Sequence, residues 1–142
     1  MKIKTENIID GISCIFIVLF MYAAASKLID FQKFRVQLGQ SPLLTSFSGF
    51  LAWFIPTLEI IISGMLCVAR CRLMGLYASF GLMTLFTLYI FVITHYSEYV
   101  PCSCGGVIQN MTWGQHLIFN LFFVTIALLA ILFLYRRSKA YG

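Results

Sequence analysis

The sequence predicts an all-α membrane protein, a bundle of four transmembrane helices formed by a single domain over residues 1–142. The first observation is the composition: 61% of the residues are hydrophobic and 11% are charged, whereas about 25% are charged in soluble globular domains. A chain of 142 residues cannot bury so much apolar surface within itself, so lipid has to cover the remainder. The second observation is that the apolar residues form four long stretches, each close to the roughly 20 residues that a helix needs to cross a bilayer.

These four stretches are predicted to span the membrane as helices. Backbone N–H and C=O groups find no water within the hydrocarbon region, and a single segment satisfies them internally only as a helix. We expect the spans at about 8–25, 47–69, 73–94 and 114–135. Gly64, Gly75 and Gly81 lie within them, and such small residues allow neighbouring helices to approach closely.

Lysine and arginine are divided unequally between the two sides of the predicted bundle, and cytoplasmic loops generally carry the excess of these residues. With the N-terminus in the cytoplasm, the cytoplasmic side carries seven of them: Lys2, Lys4, Arg70, Arg72, Arg136, Arg137 and Lys139. The outer side carries three: Lys27, Lys33 and Arg35. We therefore expect both termini in the cytoplasm and the loop before the fourth span on the outer side. The basic residues form no stripe with interleaved aromatic residues, so we expect them to contact membrane lipid and not nucleic acid.

A short amphipathic segment follows the first span. Apolar and charged residues alternate irregularly over residues 27–38. This pattern is typical of a short helix that lies on the membrane surface, here the outer one. Ser41-Pro42 is predicted to end it, because a residue before proline disfavours the helical conformation.

The outer loop contains two closely spaced cysteines, Cys102 and Cys104, in the sequence Pro-Cys-Ser-Cys-Gly-Gly. Disulfides persist on the outer side of a membrane, whereas Cys14, Cys67 and Cys71 lie toward the reducing side. A Cys-x-Cys bridge closes a small ring and should be strained, and strained disulfides are the easily reduced ones. Because a disulfide between Cys102 and Cys104 would close a very short loop, it would constrain the unfolded chain little. Stability is therefore a poor reason for this disulfide. The pair is therefore interpreted as a catalytic, redox-active dithiol.

Two other interpretations of the loop remain open. Cys102 and Cys104 could hold a zinc or copper ion together with His95 and His116, which lie at the outer ends of the third and fourth spans. Against this interpretation, the Cys-x-Cys spacing is tighter than that of the usual structural zinc sites. The loop could also be an inert turn with two incidental thiols.

Glu59 is the outstanding polar residue inside the predicted membrane region. It lies near the middle of the second span, one turn after Pro56, and ionisable residues at such depth mark functional sites by default. A charged Glu59 needs a partner, and the candidate is Lys27 at the outer end of the first span. The functional hypothesis is a proton relay or a ligand for a quinone-like head group. The structural hypothesis is a buried pair that locks two helices together.

His116 and Asn120 are one turn apart and therefore share a face of the fourth span, just below the cysteine loop. His116 could favour the thiolate form of a nearby cysteine or transfer protons. The alternative is an interfacial histidine that forms a hydrogen bond with the loop backbone.

Several of these residues together resemble the MauE branch of the DoxX-like membrane proteins. The resemblance runs from about residue 21 to 132 and is carried by the segments Ala25-Ser26-Lys27-Leu28, Pro56 with Glu59, Pro101-Cys102-Ser103-Cys104-Gly105-Gly106, Trp113, and His116 to Asn120. It implies a four-helix bundle similar to the membrane thiol oxidoreductases of the DsbB and vitamin K epoxide reductase type, located in a bacterial inner membrane with the cysteine loop in the periplasm. It also implies a role in maturing a disulfide-rich periplasmic protein beside a thioredoxin-like partner. The chain lacks the second outward cysteine pair with which DsbB-type enzymes relay electrons.

Two functional hypotheses follow. In the first, the chain is a thiol–disulfide redox protein: Cys102 and Cys104 exchange electrons with a periplasmic thioredoxin-like or client protein, and a lipid-soluble carrier such as a quinone binds near Glu59 and His116. In the second, it is a non-enzymatic accessory subunit that matures a partner, with the cysteine loop as a docking or metal-holding element.

Overall fold

A computed structural model of the chain describes residues 2–41, 44–96 and 113–141, and these residues form an all-α bundle. The order of the elements is α1 (Lys2–Ile29), α2 (Phe31–Gln40), a single 3₁₀ turn (Thr45–Phe47), α3 (Ser48–Cys67), α4 (Arg72–Tyr96) and α5 (Trp113–Tyr141). Within the described ranges, four helices are long and apolar enough to cross a membrane, namely α1, α3 with its preceding turn, α4 and α5. The predicted fold class is therefore confirmed.

The helices that contain the first and last predicted spans extend well beyond the apolar stretches. α1 begins at Lys2 and ends at Ile29, and α5 continues to Tyr141. Hydropathy indicates only the part of a helix that lipid covers, whereas backbone hydrogen bonds continue the helix into polar sequence. In the extended part Arg137 of α5 forms an ion pair with Glu6 of α1, so the two extensions support each other.

The four long helices run alternately up and down, so the bundle has two ends. We call the end where α1 begins and α5 ends the termini end, and the opposite end, which carries α2, the loop end. α1 packs mainly on α3, and α4 mainly on α5. Phe16, Phe20 and Phe123 join the two helix pairs through ring contacts with centroids 5.5–5.9 Å apart. The core therefore lies along the axis of the bundle, and most other large side chains face outward.

α2 forms a cover over the loop end. Its apolar face packs against α3, where Phe34 and Leu38 form a small apolar cluster with Ala52. The predicted amphipathic helix is confirmed, but its predicted start at residue 27 is wrong. Lys27 belongs to the last turn of α1, and the backbone leaves the helical conformation at Asp30, with φ −104° and ψ 46°.

The close approach expected of the glycines occurs at Gly75 alone among the three. A Cβ atom on Gly75 would lie 3.0 Å from Cδ2 and 3.2 Å from the backbone nitrogen of Leu66, whereas a Cβ on Gly64 or Gly81 would meet nothing within 4 Å. α3 and α4 therefore touch backbone to backbone at the termini end, next to the short turn that joins them.

Candidate intramembrane ligand site

A buried ion pair joins α1 to α3 near the loop end. Lys27 Nζ donates a hydrogen bond of 2.8 Å to Oε1 of Glu59, and the two side chains are 9% and 1% exposed. Nζ also lies 3.5 Å from the carbonyl oxygen of Ala23 and about 6 Å from the ring centroids of Phe34 and Phe86. The pairing predicted from the sequence is confirmed.

The local sequence explains why Glu59 sits at this depth. Glu59 and Pro56 lie on the inward face of α3 with Ala52 and Ile62, at the helical spacing of three and four residues. Pro56 has no N–H group, so the carbonyl of Ala52 lacks its usual helical partner at this level. Below the pair, the hydroxyl of Ser63 donates to the carbonyl oxygen of Glu59 at 2.9 Å. The inward face of α3 thus carries one ionisable residue, Glu59, and it faces Lys27.

His116 and Asn120 bring a second helix to the same place. Both are buried on one face of α5, at 9% and 3% exposure. Together with Lys27 and Glu59 they line a single cavity. The four intramembrane residues singled out from the sequence therefore meet, although they come from three helices.

The cavity has a volume of about 340 Å³, within the roughly 300–1,000 Å³ of small-molecule sites. It lies between α3 and α4, with α1 and α5 behind and α2 over the loop end. Apart from the four polar residues its walls are apolar, and six of the lining residues are aromatic: Phe20, Phe34, Phe54, Phe86, Tyr89 and Phe119. The site therefore combines one polar corner with an extended apolar volume.

The cavity opens sideways between α3 and α4. Phe54 of α3 and Leu85 of α4 line it and are also 45% and 64% exposed on the outer surface of the bundle. The two helices touch at Gly75, toward the termini end, and residues of both line the cavity toward the loop end. On the cover, Tyr89 of α4 donates a hydrogen bond of 2.8 Å from Oη to Ser41 at the end of α2. The opening thus faces the surface that lipid would cover.

Two buried polar atoms in the polar corner lack a hydrogen-bond partner within the described ranges. They are Oε2 of Glu59 and Nδ2 of Asn120. An unsatisfied polar group in an apolar environment costs several kcal/mol in a membrane. Both atoms belong to side chains that line the cavity.

The remaining predicted site residues lie elsewhere. Cys102 and Cys104 lie outside the described residues. His95, at the end of α4, is exposed, contacts the carbonyl of Phe91 through Nδ1 at 3.0 Å and stacks on the Phe91 ring; it does not line the cavity. The part of the chain that the structure describes holds no group of three metal-ligating side chains, and the metal site considered above includes the two loop cysteines.

Sequence reasoning missed two features of this region. The cavity itself depends on how far α3 and α4 diverge, which no local pattern encodes. The bond between Tyr89 and Ser41 joins residues far apart in sequence. The sequence shows the Tyr89 hydroxyl near the outer end of the third span and Ser41 before a proline. Neither feature by itself predicts a hydrogen bond between them.

The fold and the cavity together define a class: a multi-pass membrane protein of four helices long and apolar enough to span a membrane, with a cavity and a buried ion pair between them. The family model described as Methylamine utilisation protein MauE matches residues 5–133, most of the chain. The chain therefore belongs to the MauE family, as the resemblance in the sequence indicated. No curated protein and no solved structure matches it.

Proposed function

We propose that this protein is a membrane thiol–disulfide redox protein that supports disulfide formation in a partner needed for methylamine utilisation, the process in the family's name. Cys102 and Cys104 are the reacting groups. Their disulfide accepts electrons from the thiols of a periplasmic thioredoxin-like or client protein, and a lipid-soluble quinone reoxidises the resulting dithiol.

The cavity is the observation that carries this proposal. A redox protein with a single outward cysteine pair needs an electron acceptor, and a carrier dissolved in the membrane needs a site that is open to lipid. The cavity is open between α3 and α4 and ends in a polar corner that includes His116, in the first turn of α5. In the sequence, Cys102 and Cys104 precede that helix, with eight residues between Cys104 and Trp113.

The exchange balances without a further reactant. A partner dithiol reduces the Cys102–Cys104 disulfide, so the partner gains a disulfide and this chain gains two thiols. The two thiols then pass two electrons and two protons to the quinone, which becomes a hydroquinone. A thiolate is the attacking species in the first step, and we assign the acceptance of its proton to His116, which lines the cavity.

The orientation proposed from the distribution of lysine and arginine fits this role. It assigns both termini to the cytoplasm and the cysteine loop to the periplasm of a bacterium with an inner membrane. The disulfide-forming step then occurs in an oxidising compartment.

Thiol trapping in intact cells tests the proposal. Alkylation after acid quenching should show Cys102 and Cys104 mainly oxidised, and mainly reduced when the respiratory quinones are depleted. The variant with Cys102→Ser and Cys104→Ser should fail to mature the partner, whereas Cys67→Ser, an exposed cysteine of α3, should behave as the parent protein does. Full maturation of the partner by the Cys102→Ser/Cys104→Ser variant would contradict the redox role and favour the accessory-subunit hypothesis.

A further inference from the structure

The net charge of the chain is concentrated at the termini end of the bundle. Of the ten lysine and arginine residues, seven lie at that end, together with two of the five acidic residues, Glu6 and Asp10. The sequence on the other side of the spans holds three basic and three acidic residues, whose charges cancel. The formal net charge of +5 therefore belongs to the termini end.

A crevice at this end lies between α1 on one side and α4 and α5 on the other, and two ion pairs cross it. Asp10 of α1 pairs with Arg72 of α4, and Glu6 of α1 pairs with Arg137 of α5. The crevice has a volume of about 480 Å³, and all four residues line it. Their side chains are between 26% and 56% exposed, so the crevice is open to the surroundings of the bundle.

The two arginines occupy adjacent positions in the crevice. Glu6 and Asp10 are four residues apart on α1, and side chains at that spacing are neighbours on a helix face, with Cβ atoms about 5–6 Å apart. Each arginine contacts one of these two carboxylates through one terminal nitrogen, Nη1 of Arg72 and Nη2 of Arg137. A guanidinium group has five N–H donors, so the two ion pairs use only part of the donors of each arginine.

A phosphodiester group matches this arrangement. It carries one negative charge, and its two unsubstituted oxygens accept hydrogen bonds in the paired geometry that a guanidinium group offers. Glu6 and Asp10 also line the crevice, but each is already paired with an arginine, and five further basic residues lie at the same end. The charge at this end therefore favours an anion over a cation.

The apolar part of the crevice indicates that the phosphodiester belongs to a lipid. Leu73 follows Arg72 on α4, Leu134 precedes Arg137 by one turn on α5, and both leucines line the crevice. The two arginines lie near the ends of helices that are long and apolar enough to cross a membrane, at the level where bilayer head groups lie. Basic pockets between such helices bind anionic lipid head groups. A soluble phosphodiester would contact the arginines but leave the leucines uncovered.

We propose that this crevice is a binding site for an anionic phospholipid of the phosphatidylglycerol type, with its phosphate held by Arg72 and Arg137 and its chains beside Leu73 and Leu134. A zwitterionic phospholipid binds more weakly, because the excess of positive charge at this end repels its ammonium group. The site lies at the opposite end of the bundle from the cavity and involves neither the cysteine loop nor an electron carrier. It therefore stands independently of the proposed function.

Native mass spectrometry of the protein in dodecyl maltoside micelles measures lipid binding directly. The probes are dioleoyl-phosphatidylglycerol, the phosphatidylethanolamine and phosphatidylcholine with the same chains, and glycerophosphoglycerol, which is the phosphatidylglycerol head group without chains. We expect one phosphatidylglycerol to be retained per chain, with an affinity at least about tenfold higher than that of each other probe. This is the scale expected when several basic residues act on one net charge.

Two pairs of variants separate this site from a diffuse attraction. Arg72→Gln and Arg137→Gln each remove a crevice arginine and should weaken phosphatidylglycerol binding at least about tenfold, the effect of losing hydrogen bonds to a charged group. Arg70→Gln and Arg136→Gln remove the same charge from exposed neighbours that do not line the crevice. They should weaken binding less than about threefold, because exposed charges are screened by salt. All four arginines are at least partly exposed, so none of the variants disturbs the core.

Equal losses in all four variants would show that the net charge alone attracts the lipid, and would overturn the site. Phosphatidylethanolamine or phosphatidylcholine binding as tightly as phosphatidylglycerol would overturn the preference for a net anion. Glycerophosphoglycerol binding as tightly as the intact lipid would overturn the assignment to a lipid and replace it with a soluble phosphodiester.

Discussion

The two ends of the bundle hold their charged residues in opposite ways. At the termini end, Asp10 pairs with Arg72 and Glu6 with Arg137, and all four side chains are between 26% and 56% exposed. At the loop end, Lys27 and Glu59 form a pair that is almost completely buried. The exposed pairs join α1 to α4 and α5, whereas the buried pair joins α1 to α3.

The exposed pairs and the buried pair differ in what they contribute to stability. Exposed ion pairs contribute about 0–1 kcal/mol each and serve here to tie the ends of long helices. A buried pair pays a desolvation penalty that often exceeds its attraction, so an apolar replacement would stabilise the fold as well or better. Stability alone does not explain Lys27 and Glu59. A buried pair that lines a cavity fits the carrier site proposed above.

The largest expected effect comes from breaking the buried pair. Lys27→Met leaves Glu59 buried without its cation and should lower the free energy of unfolding by about 3–5 kcal/mol. The double variant Lys27→Met/Glu59→Leu should recover most of that loss, because no uncompensated group remains. Reversible unfolding in mixed micelles with increasing dodecyl sulfate measures both.

Lys33→Met is the matched control, since Lys33 is exposed on α2, and it should change the free energy of unfolding by less than about 0.5 kcal/mol. A double variant as unstable as Lys27→Met alone would show that the pair is a structural requirement. The contrast between the two ends would then be lost.

A smaller effect is expected where α3 and α4 touch. Gly75→Ala places a Cβ atom 3.0–3.2 Å from Leu66, including its backbone nitrogen, so the helices must move apart. The expected destabilisation is about 1–3 kcal/mol, the usual range for overpacking. Gly81→Ala on the same helix meets nothing within 4 Å and should be neutral or slightly stabilising, as alanine favours helix. Equal unfolding curves for the two variants would contradict this close contact between α3 and α4.

The smallest effect is expected at the termini end. Asp10→Asn should cost less than about 1 kcal/mol, because its partner Arg72 stays partly solvated. The difference from the parent protein should shrink further when salt is raised from 0.05 to about 0.5 M, since salt screens exposed pairs. The same unfolding assay at two salt concentrations checks this. A loss comparable to that of Lys27→Met would mean that both ends depend on their charges equally.

The sequence predicted the fold class and the partners of the buried pair for a physical reason. Lipid imposes a helix on any long apolar stretch, and a charge at the depth of Glu59 requires a partner, for which Lys27 was the available cation. The ends of α1 and α5 were not predicted, because polar sequence beyond the hydrocarbon carries no comparable constraint.

The sequence singled out four polar residues that line the cavity, but it did not predict the shape of the cavity. Glu59, His116 and Asn120 stand out because each is polar within an apolar stretch. The cavity depends on the divergence of α3 and α4 and on the position of α2 over the loop end, and both are set by contacts between distant residues such as Gly75 with Leu66 and Tyr89 with Ser41.

The central claim is that the cavity and the cysteine loop act as one unit, and oxidation of the Cys102–Cys104 dithiol by decylubiquinone in the purified protein tests it most directly. The rate of oxidation is followed by mass spectrometry of alkylated thiols and compared in two variants. Ala23→Phe fills the cavity from α1. Ala25→Phe places the same side chain on the exposed face of α1, two residues away. We expect the dithiol of the Ala25→Phe variant to be oxidised at the rate of the parent protein. The dithiol of the Ala23→Phe variant should be oxidised at least about tenfold more slowly, which corresponds to about 1.4 kcal/mol or more in the activation barrier. Equal rates in the two variants would contradict the central claim.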